Sequence, residues 1–218
     1  MNQHEHPARG AFERLREGNR RFAQGLRSVE ALVSHVNRGE GVHGQDPFAI
    51  VLGCSDARVP AELIFDQGLG ALFVIRVAGN IVAPSQVGSV EFAADAFRTR
   101  LVVVLGHTHC GAVDKTLEVV RGPAPPASRG IASIVERIRP LVGPLMDAHP
   151  EWSQDELAHQ VMHANVLASV NQLRSSSAIL SRLIAEDGLV IVGAHYDIPS
   201  GQVEFFEGVP SEWQEPGA

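Results

Sequence analysis

Four short, uninterrupted apolar runs constrain the fold of this chain more than any other feature of its sequence. They span residues 48–53, 72–77, 100–106 and 189–193. Runs of this length without alternating polar residues are typical of strands that are buried on both faces of a parallel sheet. Helix-length segments over 86–98 and 153–187 lie between them. Strands that alternate with helices predict an α/β fold with a parallel core sheet flanked by helices.

The two ends of the chain add an edge strand and helical arms to this prediction. Residues 202–206 follow a turn at Pro199–Gly201 and predict a last strand, antiparallel at the edge of the sheet. Residues 11–25 carry apolar side chains at helical spacing, which predicts an amphipathic helix, and 28–38 predicts a second, weaker helix. We expect residues 1–40 to form an N-terminal helical arm.

Length and charge limit the kinds of function to consider. The chain has 218 residues, and we expect a single domain over 1–218. Its 18 basic and 25 acidic residues give a net charge of −7, which argues against a nucleic-acid partner. No apolar run approaches the roughly 20 residues that span a bilayer, so no membrane partner is expected. Residues 1–10 are polar, without the apolar region of a secretory signal, and we expect a cytoplasmic protein.

The first and third apolar runs end directly in residues that can bind a metal. Cys54 follows the first run, with Asp56 and Arg58 just behind it, and His107 and Cys110 follow the third. Ligands of open α/β sheets bind beyond the carboxyl ends of the strands, so neighbouring strands would bring these side chains into one crevice. Two thiolates, one imidazole and one carboxylate make a four-coordinate zinc set, and sulfur ligands favour Zn²⁺ over Mg²⁺ or Ca²⁺.

Each of these residues also has an ordinary structural explanation. A cysteine at the end of a buried strand is often only a small apolar side chain, and the two cysteines of this chain could form a disulfide. Asp56 and Arg58 could form a surface ion pair that contributes little to stability. The repeated placement of a metal-ligand type at a strand end favours the site.

The segments around these residues resemble the signature motifs of the β-class carbonic anhydrases. The resemblance extends over roughly residues 11 to 206, nearly the whole chain. The segments that carry it are Cys54–Val59, Gly106–Ala112, Gly18–Phe22, Ile64–Gly68 and Arg76–Asn80.

The resemblance implies a zinc enzyme that reversibly hydrates carbon dioxide to bicarbonate. Cys54, His107 and Cys110 would hold the zinc, and Asp56 and Arg58 would form the catalytic dyad. Asp56 would itself be a fourth zinc ligand only in a closed form of the site. The family's fold is a parallel core sheet with helices, assembled as an obligate homodimer whose sites lie near the subunit interface. A tetramer remains open.

Four further positions are expected to contact the substrate. Gln45 matches a glutamine that the family places across the dimer interface. Phe73 matches an apolar wall residue, and Val59 is expected to add to that wall. Gly111 matches a backbone contact after the second cysteine. Phe92 lies where plant-type members of the family carry a tyrosine, so any role for it would be purely apolar.

Three other histidines have less specific expectations, and two other functions are open. His109 is expected to be a residue of the site's loop or mouth, not a ligand, and His163 and His195 are expected to be core residues with satisfied hydrogen bonds. One alternative function is hydrolysis of carbonyl sulfide or carbon disulfide on the same scaffold. The other is a non-catalytic zinc site with a structural or redox-sensing role.

Overall fold

One five-stranded sheet organises the protein. The computed structural model describes residues 6–36, 44–123 and 125–214. Its strands are β1 (Ala49–Gly53), β2 (Leu72–Arg76), β3 (Leu101–His107), β4 (Val190–Tyr196) and β5 (Val203–Glu207). Their spatial order is β2-β1-β3-β4-β5, and the first four are parallel while β5 pairs antiparallel with β4. The predicted α/β architecture with an antiparallel edge strand is therefore confirmed.

Helices cover the two faces of the sheet unequally. The helices are α1 (Arg9–Ala23), α2 (Val29–Val36), α3 (Ala61–Ile64), α4 (Pro84–Ala96), α5 (Gly111–Arg121), α6 (Arg129–Ala148), α7 (Gln154–Ser175) and α8 (Ala178–Glu186). Side chains of β3 alternate between the two cores: Val102 and Val104 pack with α4–α8, and Val103 packs with α1 and α3. No helix in the described ranges is both long and apolar enough to cross a membrane.

One expectation about helices needs correction, two helices were not expected, and one expected helix is present over the described residues. The helical stretch expected over 153–187 is two helices, because the Ser177 hydroxyl accepts the Leu180 N–H at 3.0 Å and starts α8 anew. Helices α5 and α6 did not emerge from the sequence, since α5 begins inside the presumed site and α6 contains two prolines. The helix expected over 28–38 is Val29–Val36, and residues 37–38 lie outside the described residues.

Two of the family-like segments attach the N-terminal arm to the sheet. The Asn19 side chain donates to the carbonyls of Ile64 at 3.2 Å and Gly201 at 2.9 Å, and accepts the Val203 N–H at 2.8 Å. A single buried amide thus fastens α1 both to the end of α3 and to the edge strand β5. Side-chain amides in such positions are satisfied only if all three backbones keep their places.

A buried carboxylate fastens the start of α2 in the same way. Asp66 is fully buried, pairs with Arg21 at 2.6 Å and accepts the Ser28 N–H at 2.9 Å. Gly18 allows α1 to approach this segment, because a Cβ at position 18 would lie 1.9 Å from the Phe65 carbonyl oxygen. The segments Gly18–Phe22 and Ile64–Gly68 therefore have a structural role that the sequence resemblance left undefined.

We predict that Gly18→Ala lowers the free energy of unfolding by about 1–3 kcal/mol, the usual cost of forcing extra atoms into a packed contact. Gly10→Ala in the same helix is the matched control, because nothing lies within 4 Å of its Cβ position. Thermal and urea unfolding of both variants checks this. Equal stability of the two variants would contradict the close approach.

Candidate functional site

The candidate site lies at the point where the strand order reverses. From β1 the chain crosses to β2 on one side and then returns to β3 on the other side. The loops that follow β1 and β3 therefore diverge and leave a crevice at the carboxyl ends of these strands, where ligands of open α/β sheets bind. Cys54 follows β1, His107 is the last residue of β3, and Cys110 directly precedes α5.

Two thiols and an imidazole meet in this crevice. One possible ligand atom from each of Cys54, His107 and Cys110 lies within 4.8 Å of the other two, and all three residues are buried. The cysteines are free. The predicted neighbourhood of the two strands and the convergence of these three residues are both present.

The His107 ring is oriented so that its Nε2 could bind a metal. Its Nδ1 lies 2.9 Å from the Thr108 carbonyl oxygen, which orients the ring and favours a proton on Nδ1. Nε2 is buried and has no hydrogen-bond partner among the described residues. A buried nitrogen lone pair without a partner is costly, and a cation beside two sulfur atoms would satisfy it. The donor set of two sulfurs and one nitrogen fits Zn²⁺.

The pKa values of the two thiols are shifted in opposite directions. The pKa of Cys54 is lowered, first because the Cys110 thiol donates a hydrogen bond to it and also because His107 and the Gly79 N–H lie beside its sulfur. The pKa of Cys110 is raised by the same hydrogen bond and by burial. The two thiols therefore titrate as a coupled pair.

A glycine turn holds the first cysteine. The Gly79 N–H donates to Cys54 Sγ at 3.3 Å, and the carbonyl of Gly79 accepts the Asn165 side chain at 2.7 Å. The neighbouring Asn80 carbonyl accepts the Ser169 hydroxyl at 3.2 Å, so α7 positions this turn. Gly79 has a φ of 71°, a conformation that favours glycine. Sequence reasoning noted the segment Arg76–Asn80 but assigned it no role.

Arg76 fixes the loop that carries Cys54 and Asp56. Its guanidinium donates to the Cys54 carbonyl at 3.1 Å and to the Asp56 carbonyl at 2.6 Å. Arginine suits this task because its planar fork can bind two acceptors at once. The position of Arg76 at the end of β2, beside the first cysteine strand, was the signal that could have identified it.

Asp56 and Arg58 form a two-point ion pair at the mouth of the site. Arg58 Nε and Nη2 donate to the two Asp56 carboxylate oxygens at 2.9 and 2.7 Å. The Arg58 guanidinium holds the pKa of Asp56 well below its usual range, so this carboxylate stays ionised. Asp56 is not in the group formed by the cysteines and His107.

His109 contributes through its backbone. Its carbonyl accepts Arg58 Nη2 at 3.0 Å, and its φ of 54° turns that carbonyl toward the arginine. The side chain is exposed and lines a cavity of about 250 Å³, together with His107, Cys110, Asp114 and His159.

The four expected substrate residues do not line this cavity. Val59 is buried in the core on the α1 side. Phe73 packs on the other face of the sheet from Val59. The centroid of its ring lies 6.2 Å from that of Phe92 and 6.0 Å from that of Phe97. Gln45 is exposed. Their contacts with a substrate stay predictions, as does that of Gly111, the first residue of α5.

The sequence profile of the carbonic anhydrase family matches residues 49–203 of the chain. The chain belongs to the β-class carbonic anhydrases. The matched residues include all three possible metal ligands, the Asp56–Arg58 pair and the glycine turn. The crevice beyond β1 and β3 thus lies within the part of this carbonic anhydrase that matches the family.

Relatives and solved structures agree with this assignment over most of the chain. Carbonic anhydrase 2 of Mycobacterium tuberculosis is 37% identical over 193 residues, 88% of this chain and 89% of that protein. A carbonic anhydrase of Mycolicibacterium smegmatis is 37% identical over 196 residues, 89% and 91% of the two chains. The solved β-carbonic anhydrase CafA of Aspergillus fumigatus superposes with a TM-score of 0.72 at 25% identity, covering 84% of this chain and 86% of that one.

We predict that Gly79→Ala weakens metal retention. An added Cβ would meet Ala112 Cβ at 2.9 Å and Ile138 Cδ1 at 3.0 Å, so the turn must move and withdraw its N–H from Cys54. Zinc per chain after dialysis against a chelator measures the effect. Gly88→Ala is the control, because its Cβ position is open and its backbone is ordinary helix. Equal zinc retention by both variants would contradict the role of the turn.

Proposed function

We propose that this β-class carbonic anhydrase catalyses the zinc-dependent, reversible hydration of carbon dioxide to bicarbonate and a proton. The observation that carries the proposal is the convergence of Cys54, His107 and Cys110 beside the Asp56–Arg58 pair. These three residues would hold the zinc. Bound there, zinc supplies Lewis-acid activation of water near neutral pH.

The ionised Asp56 carboxylate would act as a hydrogen-bond acceptor that orients the attacking water toward the carbon of CO₂. Arg58 keeps this carboxylate in place through its two side-chain contacts. The Arg58 backbone N–H also donates to Asp56 Oδ1, at 2.9 Å. An acceptor fixed in this way needs little reorganisation when the reaction occurs, which is the main source of electrostatic catalysis.

The same pair favours an enzyme over a closed structural zinc site. Structural zinc sites use four protein ligands, whereas catalytic sites use three and leave one position for water or substrate. Here the carboxylate that could complete the set is bound to Arg58 instead. Asp56 would become a zinc ligand only in a closed form of the site. Assays with carbonyl sulfide and carbon disulfide test the remaining alternative of a hydrolase.

We also propose that the working enzyme is a homodimer, with a tetramer as a possible higher assembly. Apolar side chains are exposed along α2 and on the segment beside it, and hydrogen bonds between Ser34 and Leu69 and between Arg27 and Leu63 hold the two together. The exposed residues are Leu26, Val29, Leu32, Val33, Leu63 and Leu69. A second copy of the chain would cover them.

The remaining assignments extend this proposal. The exposed Gln45 would reach the partner's site, and Val59, Phe73 and Gly111 would contribute to substrate binding as the resemblance implies. We further propose a cytoplasmic location and a single domain over 1–218 with 1–40 as the arm. Of that arm, residues 1–5 and 37–40 lie outside the described residues.

Arg58→Ala tests the proposed chemistry. It should keep its zinc but lose CO₂ hydration by about 10²-fold or more, because Asp56 loses its fixed orientation. Arg58→Lys should recover only part of the rate, since lysine cannot form two parallel contacts. Zinc content and stopped-flow hydration are measured together. Lys115→Ala, which removes an exposed ion pair with Glu118 on α5, should hydrate CO₂ at the wild-type rate. A near wild-type rate for Arg58→Ala would refute the role of the pair.

Leu32→Asp tests the dimer. The wild-type chain of 23.4 kDa should sediment at twice that mass or more, and the variant should shift toward the monomer because a charge replaces part of the apolar contact. Leu167→Asp places the same charge at a comparably exposed position of α7 and should keep the wild-type mass. A fully active wild-type monomer in sedimentation velocity at assay concentration would contradict the proposal.

A further inference from the structure

A second group of metal-ligand side chains lies between α7 and β4. It consists of His159, His163 and His195, and one ring nitrogen of each lies within 4.8 Å of one from each of the others. The ring centroids are 4.6 Å apart between His159 and His163, 4.9 Å between His163 and His195, and 5.6 Å between His159 and His195. No residue of this group belongs to the cysteine site.

Local structure explains why the three rings meet. His159 and His163 are four residues apart on α7, so they lie one above the other on one helix face. His195 belongs to β4, where it pairs across the sheet with Gly106 of β3 and Glu204 of β5. Gly106 allows α7 to pack closely over this part of the sheet, because a Cβ there would lie 2.6 Å from Val166 Cγ2 and 2.8 Å from Met162 Sδ.

The hydrogen bonding of the group corrects an expectation from the sequence. His163 and His195 are not satisfied core residues, because His163 Nε2 and His195 Nδ1 are buried and have no hydrogen-bond partner among the described residues. The Glu204 Oε2 carboxylate oxygen lies 3.7 Å from His195 Nδ1, beyond hydrogen-bond distance. Two buried nitrogens in a group of three imidazoles lack partners among the described residues, and this needs an explanation.

Packing alone does not supply that explanation. The Phe206 ring lies 4.4 Å from that of His163 in a tilted arrangement, so the rings do form an aromatic cluster. Aromatic packing accounts for where the rings lie but leaves their nitrogens without partners. Burial, with added repulsion from His195 and His159, lowers the pKa of His163 to about 4, and burial also lowers the pKa of His195. Both rings are therefore neutral at physiological pH, the form in which imidazole binds metals.

We propose that His159, His163 and His195 form a second metal site, which binds one divalent transition-metal cation through three imidazole nitrogens, with Zn²⁺ as the favoured ion. Three imidazoles are a common zinc donor set, and they suit Co²⁺, Ni²⁺ and Cu²⁺ as well. Tetrahedral zinc with nitrogen ligands places those nitrogens roughly 3.4 Å apart. His159 is exposed, so its ring can rotate to close the remaining gap.

Two nearby features fit a cation at this place. The exposed Glu204 carboxylate, close to His195, can balance the positive charge or orient that ring. His159 also lines the cavity that contains His107 and Cys110. The second cation would therefore lie beside the cavity of the catalytic site while using ligands of a different chemical type.

Cobalt added to the zinc-loaded enzyme tests the proposal. The untagged full chain is first loaded with one equivalent of zinc, which fills the cysteine site, and is then titrated with Co²⁺. We expect one equivalent of cobalt to bind, with visible d–d absorption and no thiolate-to-cobalt charge-transfer band. His159→Gln should weaken this binding by more than about tenfold, since it removes a ligand. The residue lies on the surface of α7, where the substitution leaves the core unchanged.

His149→Gln is the matched control, because the His149 side chain is 42% exposed, stacks on Trp152 at 3.8 Å and does not belong to the group. It should bind cobalt as the wild type does. The proposal is overturned if the zinc-loaded wild type binds no cobalt, if cobalt appears only with the charge-transfer band of the cysteine site, or if His159→Gln binds as tightly as His149→Gln. None of these readouts depends on CO₂ hydration, so they stand apart from the proposed function.

Discussion

The rest of the site depends on one constraint: two sulfur atoms and one imidazole nitrogen, from Cys54, Cys110 and His107, lie close together in the protein interior. His107 Nε2 has no partner among the described residues, and the Cys54 thiol is acidic because its neighbours donate toward it. Such a group is expensive to bury without a cation, because the buried His107 Nε2 has no hydrogen-bond partner in the described part of the chain and lies beside a thiol whose pKa is lowered. The surrounding structure keeps the two sulfur atoms and the His107 nitrogen close together.

That support comes from far along the chain. Arg76 binds two carbonyls of the Cys54 loop, and Gly79 binds the sulfur itself. Asn165 of α7 holds Gly79 from the other side. The position of Cys110 is fixed more locally, because this residue lies in the short loop between the end of β3 and the start of α5. The sheet thus sets the distance between the three possible ligands, and α7 holds the Gly79 turn that contacts Cys54.

The sequence predicted the parts of this arrangement that depend on local pattern. Strands buried on both faces leave a clear apolar run, so β1 to β4 and the residues at their ends could be identified. Helix α6 could not, because Pro140 and Pro144 interrupt its pattern while burial of its apolar face maintains the helix.

Long-range contacts could not be predicted from the sequence either. Asn165 acts on Gly79 across 86 positions. The three histidines of α7 and β4 meet only because those elements pack together. The four-residue spacing of His159 and His163 is visible in the sequence, but nothing in it indicates that His195 joins them or that Asn165 binds Gly79. The family-like segments at Gly18–Phe22 and Ile64–Gly68 could be recognised, but only the structure shows that they fasten the arm.

The most direct test of the account is zinc X-ray absorption on the chain loaded with one equivalent of zinc. The account predicts a first shell with two sulfur atoms at about 2.3 Å and one imidazole nitrogen at about 2.0 Å, completed by a light atom. Cys110→Ala should lose most of the bound zinc, and any that remains should show one sulfur fewer. A wild-type shell without sulfur, or with nitrogen and oxygen ligands only, would contradict the central claim that Cys54, His107 and Cys110 form the metal site.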